Sequence, residues 1–157
     1  MESQLDILSE SLDQKLAVLQ EIQEYNERQA QDFSEGRADM DSFDEAVEEK
    51  DRLIEKLSKL DEGFELLYEK LAEELKGNRE RYAVQIKALQ DKVSQVTEMS
   101  VTIQAQEARN KKLVEAYFAE VRRGLHQNRK NSKAAYDYYK NMNGTAGQHS
   151  HFMDSKQ

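Results

Sequence analysis

Residues 43–74 read FDEAVEEKDRLIEKLSKLDEGFELLYEKLAEE. Within this stretch Phe43, Ala46, Lys50, Leu53, Leu57, Leu60, Phe64, Leu67, Leu71 and Glu74 recur at alternating spacings of three and four, and Val47, Ile54, Tyr68 and Leu75 broaden the stripe. Alternating threes and fours return to one face of an α-helix, and a pattern held for about 32 residues is a heptad repeat rather than a chance amphipathic turn. Gly63 lies inside the stripe without shifting its register. A glycine in a helix interior costs roughly 1 kcal/mol relative to alanine, so the stretch is read as one helix whose glycine admits a closely packed neighbour.

Two further stripes flank this one. On the N-terminal side Leu5, Leu8, Leu12, Leu16, Leu19 and Ile22 continue through Asn26 to Phe33, until Ser34-Glu35-Gly36-Arg37 ends the pattern. Glycine is the residue best able to turn left-handed after a helix. Asp41 or Ser42 is placed to cap the next helix, with Asp44 and Glu45 favourably near its positive end. On the C-terminal side Lys76-Gly77-Asn78 makes a second stop. A third stripe then runs from Tyr82 through Ile86, Leu89, Val93, Val96, Ser100, Ile103, Glu107, Asn110, Val114, Tyr117 and Val121 to Gly124, flanked by Leu113, Phe118 and Leu125.

These stripes predict helices over about 3–34, 41–76 and 79–141. The fold expected is all-α: an elongated antiparallel bundle or coiled coil of three long helices in one domain, residues 1–142, followed by a flexible tail, residues 143–157. At ~1.5 Å per residue the third helix would reach about 93 Å against about 54 Å for the second, so it must outrun its neighbour or bend. The Val-, Thr- and Ser-rich part from Val93 to Ile103 marks residues 97–103 as the place for a bend or break.

Composition excludes several classes of function. The chain has 157 residues, no cysteine and no proline, and about a third of its side chains are charged. Neither disulfides nor thiolate metal sites can form. The start Met1-Glu2-Ser3-Gln4-Leu5-Asp6 lacks the basic and apolar parts of a signal peptide, and no run approaches ~20 apolar residues, so a cytoplasmic protein without a membrane span is expected. His126, His149 and His151 offer no nucleophile and base pairing, no Gly-rich phosphate loop occurs, and no Glu-x-x-His metal pair is present. No enzyme activity, cofactor or metal is called for. Asn143-Gly144-Thr145 fits the glycosylation pattern by accident in a protein without a secretion signal.

Two features carry functional content. The first is polar residues inside apolar stripes: Asn26 and Gln29 early, Ser100, Glu107 and Asn110 late. Either they specify helix register, or the third helix leaves the core near Glu107 and Asn110 to face water or a partner. The second is charge. The net charge of -8 hides an asymmetry: residues 1–76 hold 23 acidic and 9 basic side chains, residues 109–140 hold 9 basic and 3 acidic. The basic segment interleaves Arg122, Arg123, Arg129, Lys130 and Lys133 with Tyr117, Phe118, Val121, Leu125, Tyr136, Tyr138 and Tyr139. Aromatic residues among basic ones favour a protein-recognition surface, and the acidity of the rest disfavours nucleic acid. Phe152-Met153 stands as a short apolar anchor in the tail.

The run Gln104-Ala105-Gln106-Glu107-Ala108-Arg109-Asn110-Lys111-Lys112-Leu113-Val114, after a long heptad hairpin, resembles the flagellar type III export chaperones of the FlgN kind. The ending, Ser132-Lys133-Ala134-Ala135-Tyr136 through Tyr139, then Phe152-Met153-Asp154-Ser155-Lys156, looks like that of versions found in clostridial bacteria. The resemblance implies a cytosolic chaperone for hook-associated junction proteins. It would bind the client's C-terminal helix, prevent early assembly and deliver the client to the export apparatus. Carried over by position, it puts the partner-binding residues at Tyr117, Val121, Leu125, Tyr136 and Tyr139, with Phe152 and Met153 added. The chain departs from the pattern in being strongly basic there.

Three functions compete. A chaperone would be a monomer or weak dimer that orders its C-terminal part around a client helix. A structural or tethering coiled coil would pair its stripes between chains in a stable oligomer. A basic-tail nucleic-acid binder would lose affinity steeply with salt. Turns at Gly36 and Gly77 let one chain satisfy its own stripes and favour the first.

Overall fold

The computed structural model describes residues 1–138, with side chains through residue 124. Three helices are found there, α1 (Glu2–Ser34), α2 (Met40–Gly77) and α3 (Ala83–Tyr138), and the described residues contain no strand. The helices pack against each other as a bundle. The chain divides after Lys111 into two compact units, and the packing described next belongs to the first. The tail expected at 143–157 lies outside the described residues.

The two turns are built differently. Gly36 takes φ 70°, the left-handed conformation expected of it. Arg37 N–H then donates to Asp32 O at 2.8 Å and Glu35 N–H to Gln31 O at 2.9 Å, closing the last turn of α1. The first of these bonds is the six-to-one link of a Schellman motif. The cap of α2 falls earlier than either residue the sequence suggested: Asp39, with extended backbone, accepts from Asp41 N–H at 3.3 Å and from the Ser42 hydroxyl at 3.1 Å. At the second turn Gly77 remains within α2. Asn78 closes that end instead, its Nδ2 donating to Glu74 O at 2.9 Å, so a side-chain amide satisfies a carbonyl the helix end would leave bare.

Cross-helix contacts fix direction. Lys15 pairs with Asp61, Lys50 with Asn26, and the rings of Phe33 and Phe43 meet edge to face at 5.6 Å. The numbers in each pair add to the same total, which identifies α1 and α2 as antiparallel in one register. Between α1 and α3 the partners are offset by 79 to 84 residues: Lys92 Nζ reaches Ser9 Oγ and Asp13 Oδ2, and Asn110 Nδ2 reaches Asn26 O. A near-constant offset means that these two helices run the same way.

The core lies along these faces in layers. Leu5, Leu8, Leu71, Leu75 and Tyr82 form one cluster, and Leu12, Leu19 and Val96 the next, joined by half-buried Leu16, Leu57, Phe64, Leu89, Met99 and Ile103. Each fully buried leucine contributes about 1.5–3 kcal/mol. The stripes of the sequence supply nearly all of these residues. Two details differ: Val18 is buried although it stood outside the first stripe, and near the end of α2 Leu75 takes the inward place while Glu74 is exposed.

Two expectations concern helix interiors. Of the bend or break offered at residues 97–103, the break is absent, the helical run of α3 being continuous there. There the hydroxyls of Thr97, Ser100 and Thr102 donate to the carbonyls of Val93, Val96 and Glu98 at 2.9, 2.8 and 3.0 Å, which satisfies them inside the helix without interrupting its ladder. Nor does a neighbour crowd Gly63, since a Cβ there would meet nothing within 4 Å. Gly63→Ala should therefore raise the unfolding free energy by up to about 1 kcal/mol in urea titration, a gain that close packing at this site would have reversed.

Beyond the leucine layers the core turns polar. Asn26, Gln29, Lys50 and Asn110 are all buried. The Lys50 ammonium donates to Asn26 Oδ1 at 3.0 Å, to Gln29 Oε1 at 3.2 Å and to Glu107 at 3.0 and 3.3 Å, so its three N–H groups serve three side chains. Asn110 Nδ2 donates to Asn26 O at 2.9 Å and Asn26 Nδ2 to Gln106 Oε1 at 3.3 Å. All three helices meet in this layer, so α3 does not leave the core at Asn110. Register specification is the reading that holds, because a one-turn slip of any helix would separate a buried ammonium from its acceptors.

Candidate functional site

The segment singled out by its aromatic and basic residues, 109–140, lies in the second unit from Lys112 onward. It is the continuation of α3, so helix geometry places its residues. Leu113, Val114, Tyr117, Phe118 and Val121 are half-buried, whereas Lys112, Glu115, Arg122 and Arg123 are exposed. The rings of Tyr117 and Phe118 lie edge to face, centroids 5.7 Å apart at 70°, a geometry in which one ring's positive edge meets the other's negative face. Arg123 pairs with Glu120 at 3.2 Å on the exposed side, an ion pair that adds little to stability.

At about 100° per residue, positions 117, 121, 125 and 136 of a continuous helix fall within an arc of about 100°. Positions 112, 122, 123, 129, 130 and 133, all lysine or arginine, fall on the neighbouring arc from about 120° to 240°. Aromatic and basic residues that alternate along the sequence are thus sorted to two sides of one helix. That sorting suits a surface that takes up an apolar stripe along one side and acidic groups along the other.

Of the predicted binding residues, Tyr117 and Val121 are described in full and lie one turn apart on α3. Leu125 and Tyr136 lie on the same helix, in its part without described side chains. Tyr139, Phe152 and Met153 lie outside the described residues, as do His149 and His151. Phe118, Leu113 and Val114 share the half-buried pattern of Tyr117 and were not in the predicted set. Their spacing was the available signal, since each flanks or continues the third stripe. Among the described residues no helix is long and apolar enough to cross a membrane.

A family model described as FlgN protein matches residues 1–144. No curated protein and no solved structure matches the chain. The family match takes in α1, α2, the polar layer and the amphipathic length of α3 alike, so bundle and segment are accounted for together. The chain belongs to the FlgN family, the flagellar export chaperones, a family that binds flagellar proteins rather than one of enzymes.

Proposed function

We propose that this chain acts in the cytoplasm as the export chaperone of hook-associated junction proteins, binding the C-terminal helical segment of the client along the second half of α3. The observation that carries the reading is the family match over residues 1–144, which includes the segment where apolar and basic positions are sorted to two sides of a helix. A client helix with an apolar face would lay that face along Tyr117, Val121, Leu125 and Tyr136, with Tyr139, Phe152 and Met153 extending the contact. Covering an apolar stripe that exists to assemble with its own kind keeps the client from polymerising early. The basic side of the segment asks for acidic residues beside the client's stripe, and it steers their encounter. Release to the export apparatus follows from competition for the same face.

Light scattering with size-exclusion chromatography tests this, using the chain alone and mixed with a hook-associated junction protein. The full chain should run as a monomer or weak dimer and form a 1:1 complex. That complex should be lost in a variant ending at Lys130, and weakened in the full-length Tyr117→Ala, Val121→Ala double variant. A stable homo-oligomer indifferent to the client would overturn the proposal and put a tethering coiled coil in its place.

A further inference from the structure

A second apolar surface lies within the first unit. Between the end of α2 and the start of α3 a groove of about 850 Å³ is floored by Phe64, Tyr68, Leu75, Ile86, Leu89 and Val93. The rings of Phe64 and Tyr68 stack in parallel there, 6.1 Å between centroids and 6° between planes. Tyr68 is 50% exposed and Val93 44%, although both sit at stripe positions of the sequence. Apolar side chains at core-type positions that remain half open mark a face the bundle itself does not cover.

The rim is charged with one sign. Every charged residue lining the groove is basic: Lys76, Arg79 and Lys87. Lys87 shares its charge with Asp91 at 3.0 Å. Lys76 and Arg79 are exposed. This is unusual for its surroundings, because residues 1–111 hold 27 acidic and 15 basic side chains. An apolar floor with a basic rim, set in an acidic body, selects by charge as well as by shape. The chain's own C-terminal segment does not match it, since residues 109–140 carry 9 basic and 3 acidic side chains and would be repelled by the rim. Nucleic acid would meet the rim but not the floor, and the surrounding acidity opposes it.

We infer that this groove docks an amphipathic helix of a partner protein, with acidic residues flanking its apolar stripe. From Phe64 to Lys76 the α2 wall runs about 18 Å, which accommodates about three turns, with apolar anchors at i, i+4 and i+7 entering between the two helices. The inference needs neither the client nor the second half of α3. It gives the chaperone a second docking face that could be occupied while a client is held elsewhere.

The test uses the full chain and a fluorescein-labelled amphipathic peptide of about 18 residues with leucines at i, i+4 and i+7 and glutamates on both flanks. Attraction to the acidic body cannot explain capture of such a peptide. Anisotropy should report binding that weakens about tenfold or more in the Lys76→Glu, Arg79→Glu, Lys87→Glu variant and in Val93→Glu, all of them exposed positions whose replacement leaves the core intact. The Tyr117→Ala, Val121→Ala variant should bind the peptide as the parent does. No binding, or binding indifferent to the groove variants, overturns the inference. Binding lost only in the Tyr117 and Val121 variant also overturns it, by assigning the peptide to the C-terminal segment. Sedimentation of the chain alone covers the remaining case, since a dimer dissociated by Val93→Glu would show that a second copy occupies the groove.

Discussion

Lys50→Ala should lower the unfolding free energy by about 3 kcal/mol in urea titration. The side chain is buried, and its ammonium is the shared donor to Asn26, Gln29 and Glu107. Removing it leaves Asn26 Oδ1 buried without that donor and costs Gln29 Oε1 its shorter contact. It also opens a void where the aliphatic stem packed. Lys50→Met separates the two effects, because it keeps most of the stem while losing the ammonium and its donors. It should show most of the same loss. Glu107→Gln should cost under about 1 kcal/mol, since the Glu107 side chain is 44% exposed and the amide oxygen can still accept. A loss below about 0.5 kcal/mol for Lys50→Ala would mean that the layer is hydrated in solution and fixes no register.

Leu8→Ala acts at the other end of the bundle and should cost about 3 kcal/mol, within the range for fully buried leucines. Leu8 has no exposed surface and packs in one cluster with Leu5, Leu71, Leu75 and Tyr82. These neighbours come from three separate segments of the chain, so they cannot collapse into the space without moving a helix. Leu71→Ala should cost a similar amount. The double variant should cost less than both losses added, because the two truncations enlarge one cavity and the second removes fewer contacts. Additive losses would place the two side chains in separate environments and contradict the cluster.

The contrast between these two sites also shows what the sequence could and could not reveal. Leu5, Leu8, Leu12, Leu19, Leu71, Tyr82 and Val96 all stood in the predicted stripes, because burial on a helix leaves a period of three and four in the sequence. Lys50, Asn26, Gln29, Glu107 and Asn110 stood there too, but their meeting did not follow. A stripe says which face of a helix is inward and does not say which turn of another helix lies opposite. That relation is set by turn geometry, and the turns were the least readable parts: Asp39 rather than Asp41 or Ser42 caps α2, and of the Gly77-Asn78 pair only Asn78 stands beyond the helix end. Gly63 misled in another way. Glycine signals either close packing or mere tolerance, and only the space around it distinguishes them. For the candidate binding segment, the sorting of apolar from basic positions required only that α3 be continuous, and the sequence left that open at residues 97–103.

The constant pairing of α1 with α2, and the near-constant offset between α1 and α3, constrain how this chain can change length over evolutionary time. Inserting one residue between Leu19 and Asn26 would turn everything beyond it by about 100° and carry Asn26 and Gln29 away from Lys50 and Asn110. Insertion of a full heptad would restore the face but leave Asn26 two turns out of step with both partners. Inside the first unit the lengths of the three helices are therefore locked together. Single insertions and deletions are admissible at the turns after Ser34 and Gly77, so the polar layer that holds the bundle in register confines changes of length to the connections between its helices.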